Sequence, residues 1–115
     1  MPAITCIEDL RHLAQKRTPR MFFDYCESGS WSESTLHANE ADLQAIKFRQ
    51  RVAVDVDKRT TATKMLGEDV AMPVALAPTG LTGMQHADGE ILAAQAAEAF
   101  VVPFTLSTMS ICSIE

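Results

Sequence analysis

The spacing of apolar residues changes character partway along this chain, and the change divides it into two kinds of structure. Ile7, Leu10, Leu13 and Ala14 recur at helical intervals behind Thr5-Cys6-Ile7-Glu8, a capping-box pattern, and predict a helix over about residues 6–17. Pro19 suits the start of a second helix with Arg20 to Cys26 as its body and Ser28-Gly29-Ser30 as its end. Asn39, followed by Glu40, Ala41 and Asp42, predicts the N-cap of a third short helix that carries Leu43 and Ile46 on one face. Val52, Val54 and Val56 then alternate with Arg51, Ala53, Asp55 and Asp57. Together with Thr60 to Met65 they predict a strand or two of an appended ribbon, closed by a turn at Gly67-Glu68-Asp69.

From Val70 the run Val-Ala-Met-Pro-Val-Ala-Leu-Ala-Pro is almost unbroken in its apolarity, as in a strand buried on both faces of a parallel sheet. Asp88 can cap a helix with Glu90 in its first turn and Leu92, Ala96, Ala99 and Phe100 as its apolar stripe. Val101 to Leu106 is the next buried run, so strand, helix and strand make one right-handed βαβ unit. Ser113-Ile114-Glu115 reads as the first turn of a further helix. The fold class is therefore α/β. The expected division is leading helices and ribbon over residues 1–69 and the first βαβ unit over 70–115. One position conflicts with this pattern: Val101 stands where a left-handed helix cap favours glycine, which predicts local strain.

With 115 residues, 47% hydrophobic and 22% charged, the chain has the composition of one ordinary globular domain. It has no apolar run of about 18 residues, and its N-terminus mixes charges among its apolar residues, so a cytoplasmic location is expected. The placement of charge says more than the net −5. All ten Lys and Arg lie between Arg11 and Lys64, whereas Glu68, Asp69, Asp88, Glu90, Glu98 and Glu115 are the only charges after Lys64. A phosphate group would have to find its cation outside the second half. Nucleic-acid binding is not expected, because the cations of the first half are interleaved with nine acids.

Cys6, Cys26 and Cys112 are odd in number and lack metal-ligand spacing, so reduced structural cysteines and no metal site are expected. His12, His37 and His86 are isolated from any nucleophile motif. Tyr25, the single tyrosine, reads on its own as a packed aromatic. The loop Ala77-Pro-Thr-Gly-Leu-Thr-Gly-Met84 leaves a buried strand at its C-terminal end, the active-site face of a β/α barrel. Its glycines would let backbone groups approach a planar ligand, and an ordinary connecting loop is the alternative.

Motifs spread over almost the whole chain carry a resemblance. Phe23-Asp24-Tyr25, Ser28-Gly29, Glu33-Ser-Thr35-Leu36, Asn39, Phe48-Arg49-Gln50-Arg51, Met72-Pro73, Ala77-Pro78-Thr79-Gly80, Gly89-Glu90, Ala93 to Ala97, Pro103 to Thr108 and Ser113-Ile114-Glu115 occur in order. Together they resemble the N-terminal part of the FMN-dependent L-2-hydroxy-acid dehydrogenases and oxidases, with wording closest to the bacterial L-lactate branch. The resemblance implies the N-terminal portion of a TIM (β/α)8 barrel, FMN as cofactor, and oxidation of a small L-2-hydroxy acid to the 2-keto acid. It implies that Tyr25 hydrogen-bonds the substrate carboxylate, that the backbone of Ala77, Pro78, Thr79 and Gly80 lines the flavin, that Ser107 reaches the flavin's reactive edge and that Met109 borders the substrate pocket. It also implies a homo-oligomeric full-length form, with peripheral contact to the inner face of the membrane or to an electron acceptor left open.

The same resemblance places the family's histidine base, carboxylate-clamping arginine, flavin lysine and phosphate site outside these residues. Two barrel strands cannot close a barrel of eight, which needs about 250 residues. The expectation is thus a fragment of an FMN-dependent L-lactate dehydrogenase that is inactive as an isolated chain. The competing expectation is a non-catalytic truncated protein used for assembly or partner binding.

Overall fold

The computed structural model describes residues 3–114. Three helices lead: α1 (Ile7–Arg17), α2 (Arg20–Glu27) and α3 (Ser34–Ala45). The N-terminal cap of α1 lies one residue later than Thr5/Glu8. Asp9 Oδ2 accepts the Thr5 backbone N–H and hydroxyl, each at 2.8 Å, and the Cys6 N–H at 3.2 Å. These bonds, that from the Thr5 backbone first, hold the Asp9 carboxyl below its ordinary pKa. The Arg11 guanidinium joins α1 to α2 by bonding Glu27 while also bonding Glu8 one turn back.

Helix α2 follows Pro19 as expected and buries Phe23. The predicted start of α3 is wrong. Asn39 lies inside the helix, whose N-cap is Glu33 in the left-handed region at φ 57°. The Glu33 carboxylate accepts the Gly29 N–H at 2.9 Å, so the turn before the helix is fixed by a side chain that the search for an Asn cap overlooks.

Of the expected ribbon, the valine-rich part forms no strand, whereas the Thr60 to Met65 part supplies one. A two-stranded antiparallel hairpin pairs β1 (Thr63–Met65) with β2 (Glu68–Val70), in register Thr63 to Val70. Its turn is Leu66-Gly67, both with positive φ, so Glu68 and Asp69 are strand residues and not turn residues. Val70 consequently belongs to the hairpin, and the expected boundary between residues 69 and 70 falls within β2.

Beyond the hairpin two segments run parallel. Ala71 N–H donates to Val101 O at 3.0 Å, Leu76 N–H to Pro103 O at 2.8 Å, and Thr105 N–H to Leu76 O at 3.1 Å. Leu76 and Phe104 form a single isolated bridge, so neither segment is the strand buried on both faces that its apolar run predicts. Val74 and Val101 remain exposed because no further strand or helix among the described residues covers them. Between these segments lie a short α4 (Thr82–Gln85), which the apolar pattern does not announce, and α5 (Gly89–Phe100). Gln85 docks the leading helices onto this unit: its side-chain amide donates to Phe22 O at 3.0 Å, and its carbonyl accepts the Thr18 hydroxyl at 3.4 Å.

Two expectations for α5 are corrected. Asp88 precedes the helix in the left-handed region, and its side chain makes no cap bond. Leu92 and Phe100 are exposed, whereas Gly89, Glu90 and Ala97 are buried, so the packed face is rotated away from the expected stripe. Ser113 and Ile114 are not helical, and Glu115 lies outside the described residues. Val101 does cap α5 at φ 53°, ψ 51°, the strained left-handed conformation expected of it.

The chain exposes 10291 Å², against about 6,200 Å² for a self-contained globular protein of 12.6 kDa. Its radius of gyration is 17.5 Å, where a compact domain of this length has about 13 Å. Trp31 and Phe48 stand fully in solvent, and Leu92 and Phe100 lie outward along α5. The 115-residue polypeptide should therefore bind the dye ANS strongly, and fluorescence at the level of a compact protein would refute this. Replacing Val101 by Gly should relieve about 1 kcal/mol of backbone strain and raise the melting temperature. An unchanged or lower melting temperature would show that the left-handed cap carries no such cost.

Candidate functional site

The parallel pairing at Leu76 and Phe104 sends the two segments out in the same direction. The loops that follow, 77–81 and 107–111, therefore meet. Leu81 N–H donates to Met109 O at 3.0 Å, and the Ser107 hydroxyl accepts the Met109 N–H at 3.1 Å. Gly80 sits against this second loop, where an added Cβ would lie 3.2 Å from Met109 Cβ and 3.6 Å from Ser107 Oγ. The contact is too close for a comfortable side chain.

Ala77, Thr79, Thr82, Glu90 and Ser107 help line a cavity of about 220 Å³ whose apolar floor includes Leu76 and Phe104. Thr79 turns its hydroxyl onto Ala77 O at 3.3 Å, which bends the loop back on itself. The backbone N–H groups of Ala77, Thr79 and Gly80 have no protein acceptor among the described residues. An exposed ledge of unused donors beside a glycine offers a hydrogen-bonding edge to a flat, acceptor-rich ligand.

Of the expected site residues, Ala77, Thr79, Gly80, Ser107 and Met109 come together, and Pro78 lies within the same loop. Tyr25 does not join them. It lies on α2, 70% exposed, and lines none of the cavity. His12 contacts Glu8 on α1, and the His86 ring lies against Ala87 O. The three cysteines are free; Cys6 and Cys26 are exposed, and Cys26 Sγ accepts a hydrogen bond from Gln85 Nε2 at 3.0 Å.

One site group escapes sequence reasoning. Glu90 is 3% exposed, and its Oε1 accepts the Gly83 N–H at 3.1 Å and the Ile111 N–H at 3.0 Å. Oε2 is buried without a hydrogen-bond partner among the described residues. The Ile111 bond is the main cause holding the carboxyl below its usual range, against desolvation that pushes the other way. Burial, and after it the Glu90 charge, raises the Cys112 thiol. A lone acid on the packed face of an alanine-rich helix was the available signal.

The geometry places a donor-lined ledge where two parallel segments end, which corresponds to the face on which barrel enzymes bind ligands. Residues 14–115 match the FMN-dependent dehydrogenase family. The chain is 46% identical over 112 residues to an L-lactate dehydrogenase of Pseudomonas syringae pv. syringae, covering 97% of this chain and 30% of that protein. It is 47% identical over 112 residues to one of Vibrio cholerae serotype O1, with the same coverage. An oxidised active mutant of (S)-mandelate dehydrogenase superposes with a TM-score of 0.92 at 39% identity, over 98% of this chain and 32% of that one. A mandelate oxidase gives 0.90 at 32% identity, over 96% and 32%. The chain belongs to the FMN-dependent dehydrogenase family, and its fold is the N-terminal portion of a (β/α)8 barrel. It spans about 30% of the length of these relatives.

The family's cofactor is FMN, and the ledge fits its ring: three unused N–H donors, a glycine in close contact and an apolar floor suit a neutral heteroaromatic edge. No Lys or Arg follows Lys64, so the second half offers a phosphate no cationic side chain. The lowered pKa of Glu90 predicts acid sensitivity. Its lowered folded-state pKa gives stability that is present above the unfolded value near 4.5 and lost as the pH falls through the folded value. Acid unfolding of Glu90→Gln should be less steep below pH 4.5 than that of the parent, and parallel curves would contradict the assignment.

Proposed function

We propose that this segment forms the first flavin-contacting part of an enzyme that oxidises a small L-2-hydroxy acid, with L-lactate the favoured substrate, to the 2-keto acid. The observation that carries the reading is the meeting of Gly80 with Ser107 and Met109 beside the free N–H groups of Ala77, Thr79 and Gly80. FMN, when bound, accepts the two electrons released at the substrate's C2. In this reading the 77–80 backbone holds one face and edge of the ring, Ser107 lies at its reactive edge, and Met109 borders the substrate's side chain. Tyr25 contributes its hydroxyl to the substrate carboxylate, for which its exposure on α2 leaves it accessible. The L-lactate preference is supported by relatives named L-lactate dehydrogenase at 46–48% identity, above the 32–39% of the mandelate enzymes.

Residues 1–69 would serve as leading helices and ribbon, and 70–115 as the first βαβ unit, with Val70 shared between the hairpin and that unit. The 115-residue chain alone is proposed to be inactive, because its ledge has no cation to hold a phosphate. Peripheral attachment to a membrane is a further part of the proposal. A monotopic membrane (S)-mandelate dehydrogenase superposes at a TM-score of 0.91, and no described helix is long and apolar enough to cross a bilayer.

Purified 115-residue protein should neither bind FMN stoichiometrically nor reduce a dye with L-lactate, and doing both would overturn its proposed inactivity. In an active barrel carrying this segment, Tyr25→Phe should lower kcat/KM roughly tenfold or more with flavin still bound, as expected for losing a hydrogen bond to a charged group. Loss of flavin instead would give Tyr25 a structural role.

A further inference from the structure

The two loops that form the ledge are tied twice. The first tie is the backbone bond from Leu81 to Met109. Two residues further along each loop, Glu90 Oε1 accepts Gly83 N–H and Ile111 N–H together. The carboxylate comes from the first turn of α5, which packs behind the strands, so the tie is anchored in the scaffold and not in either loop. The fit around it is close. A Cβ on Gly83 would lie 2.9 Å from Ile111 Cβ and 3.1 Å from Glu90 Oε2, and one on Gly89 would lie 2.9 Å from Thr82 O. Cys112 and Asp88 are the other titratable groups bearing on this spot.

We infer that Glu90 is a positioning residue for the flavin site: its carboxylate sets the spacing between the 77–80 backbone and Ser107. This rests on the flavin reading above. An acceptor oxygen shared by two loops fixes their separation more tightly than apolar packing does, and misplacement by about an ångström at a reacting centre can cost up to a hundredfold in rate. The neutral side chain of Gln keeps one oxygen able to accept both N–H groups, whereas Ala keeps none. Function should therefore follow the oxygen, while stability follows the filled volume and charge.

The test uses an active, flavin-loaded barrel carrying this segment, with Glu90→Ala, Glu90→Gln and Gly83→Ala. Glu90→Ala should lower kcat per bound flavin about tenfold or more, shift the flavin's visible absorption and speed hydrogen exchange at the Gly83 and Ile111 amides. Glu90→Gln should restore most of all three. Gly83→Ala wedges the loops apart with the carboxylate present, and should reproduce the rate loss and spectral shift even if Glu90→Ala fails to fold. Parental rate per flavin and an unshifted spectrum in Gly83→Ala and in every folded Glu90 variant would overturn the inference. So would equal losses in Gln and Ala. A parent that binds no FMN would refute the flavin reading instead, and amide exchange in the variants would still decide whether the tie exists.

Discussion

Everything that brings the site together depends on the parallel pairing of two segments around Leu76 and Phe104. Parallel neighbours cannot be joined by a tight turn, so the chain must cross behind the sheet, and α5 is that crossing. Because both segments run the same way, their outgoing loops emerge side by side. Gly80, Ser107 and Met109 become neighbours because of this geometry, and the ties between the two loops hold them there. Remove the pairing and the residues of the ledge are merely distant points on one chain.

The leading helices depend on the same unit by way of Gln85. Its amide and carbonyl reach both α2 and the turn before it, so a short helix in the first loop becomes the place where the N-terminal part attaches. That linkage couples the position of α2, and of Tyr25 on it, to the loop that begins at Ala77. Few apolar contacts reinforce it, since Phe23, Val70 and Ala97 are the buried apolar residues described. Polar contacts thus carry much of the alignment, while broad apolar faces remain turned outward.

Much of this was legible in the sequence where the cause is local. Helical spacing and Pro19 place α1 and α2, the apolar runs on either side of Gly89–Phe100 announce two segments that pair in parallel though they form no continuous strands, and Val101 shows its strain by its shape. The failures have physical reasons. Asn39 is a good cap residue, but Glu33 fixes the turn through Gly29 and starts α3 earlier. Leu66 accepts a left-handed conformation that its type disfavours, which moves the hairpin turn. Leu92 and Phe100 look like a core stripe because apolar residues mark faces meant for contact, whichever partner makes it. Glu90 reads as an acid favouring a helix start, and only the fold reveals that its oxygen faces two loops.

The segregation of cations into the first half also gives the ledge a polarity. A molecule with an uncharged ring at one end and a dianion at the other meets, along residues 65–115, only carboxylates among the formal charges. Carboxylates repel an anion and leave a neutral ring largely unaffected, so in the flavin reading proposed above the dianion end of such a molecule would lie away from this face. The absence of lysine and arginine would then favour one orientation over its reverse by repulsion.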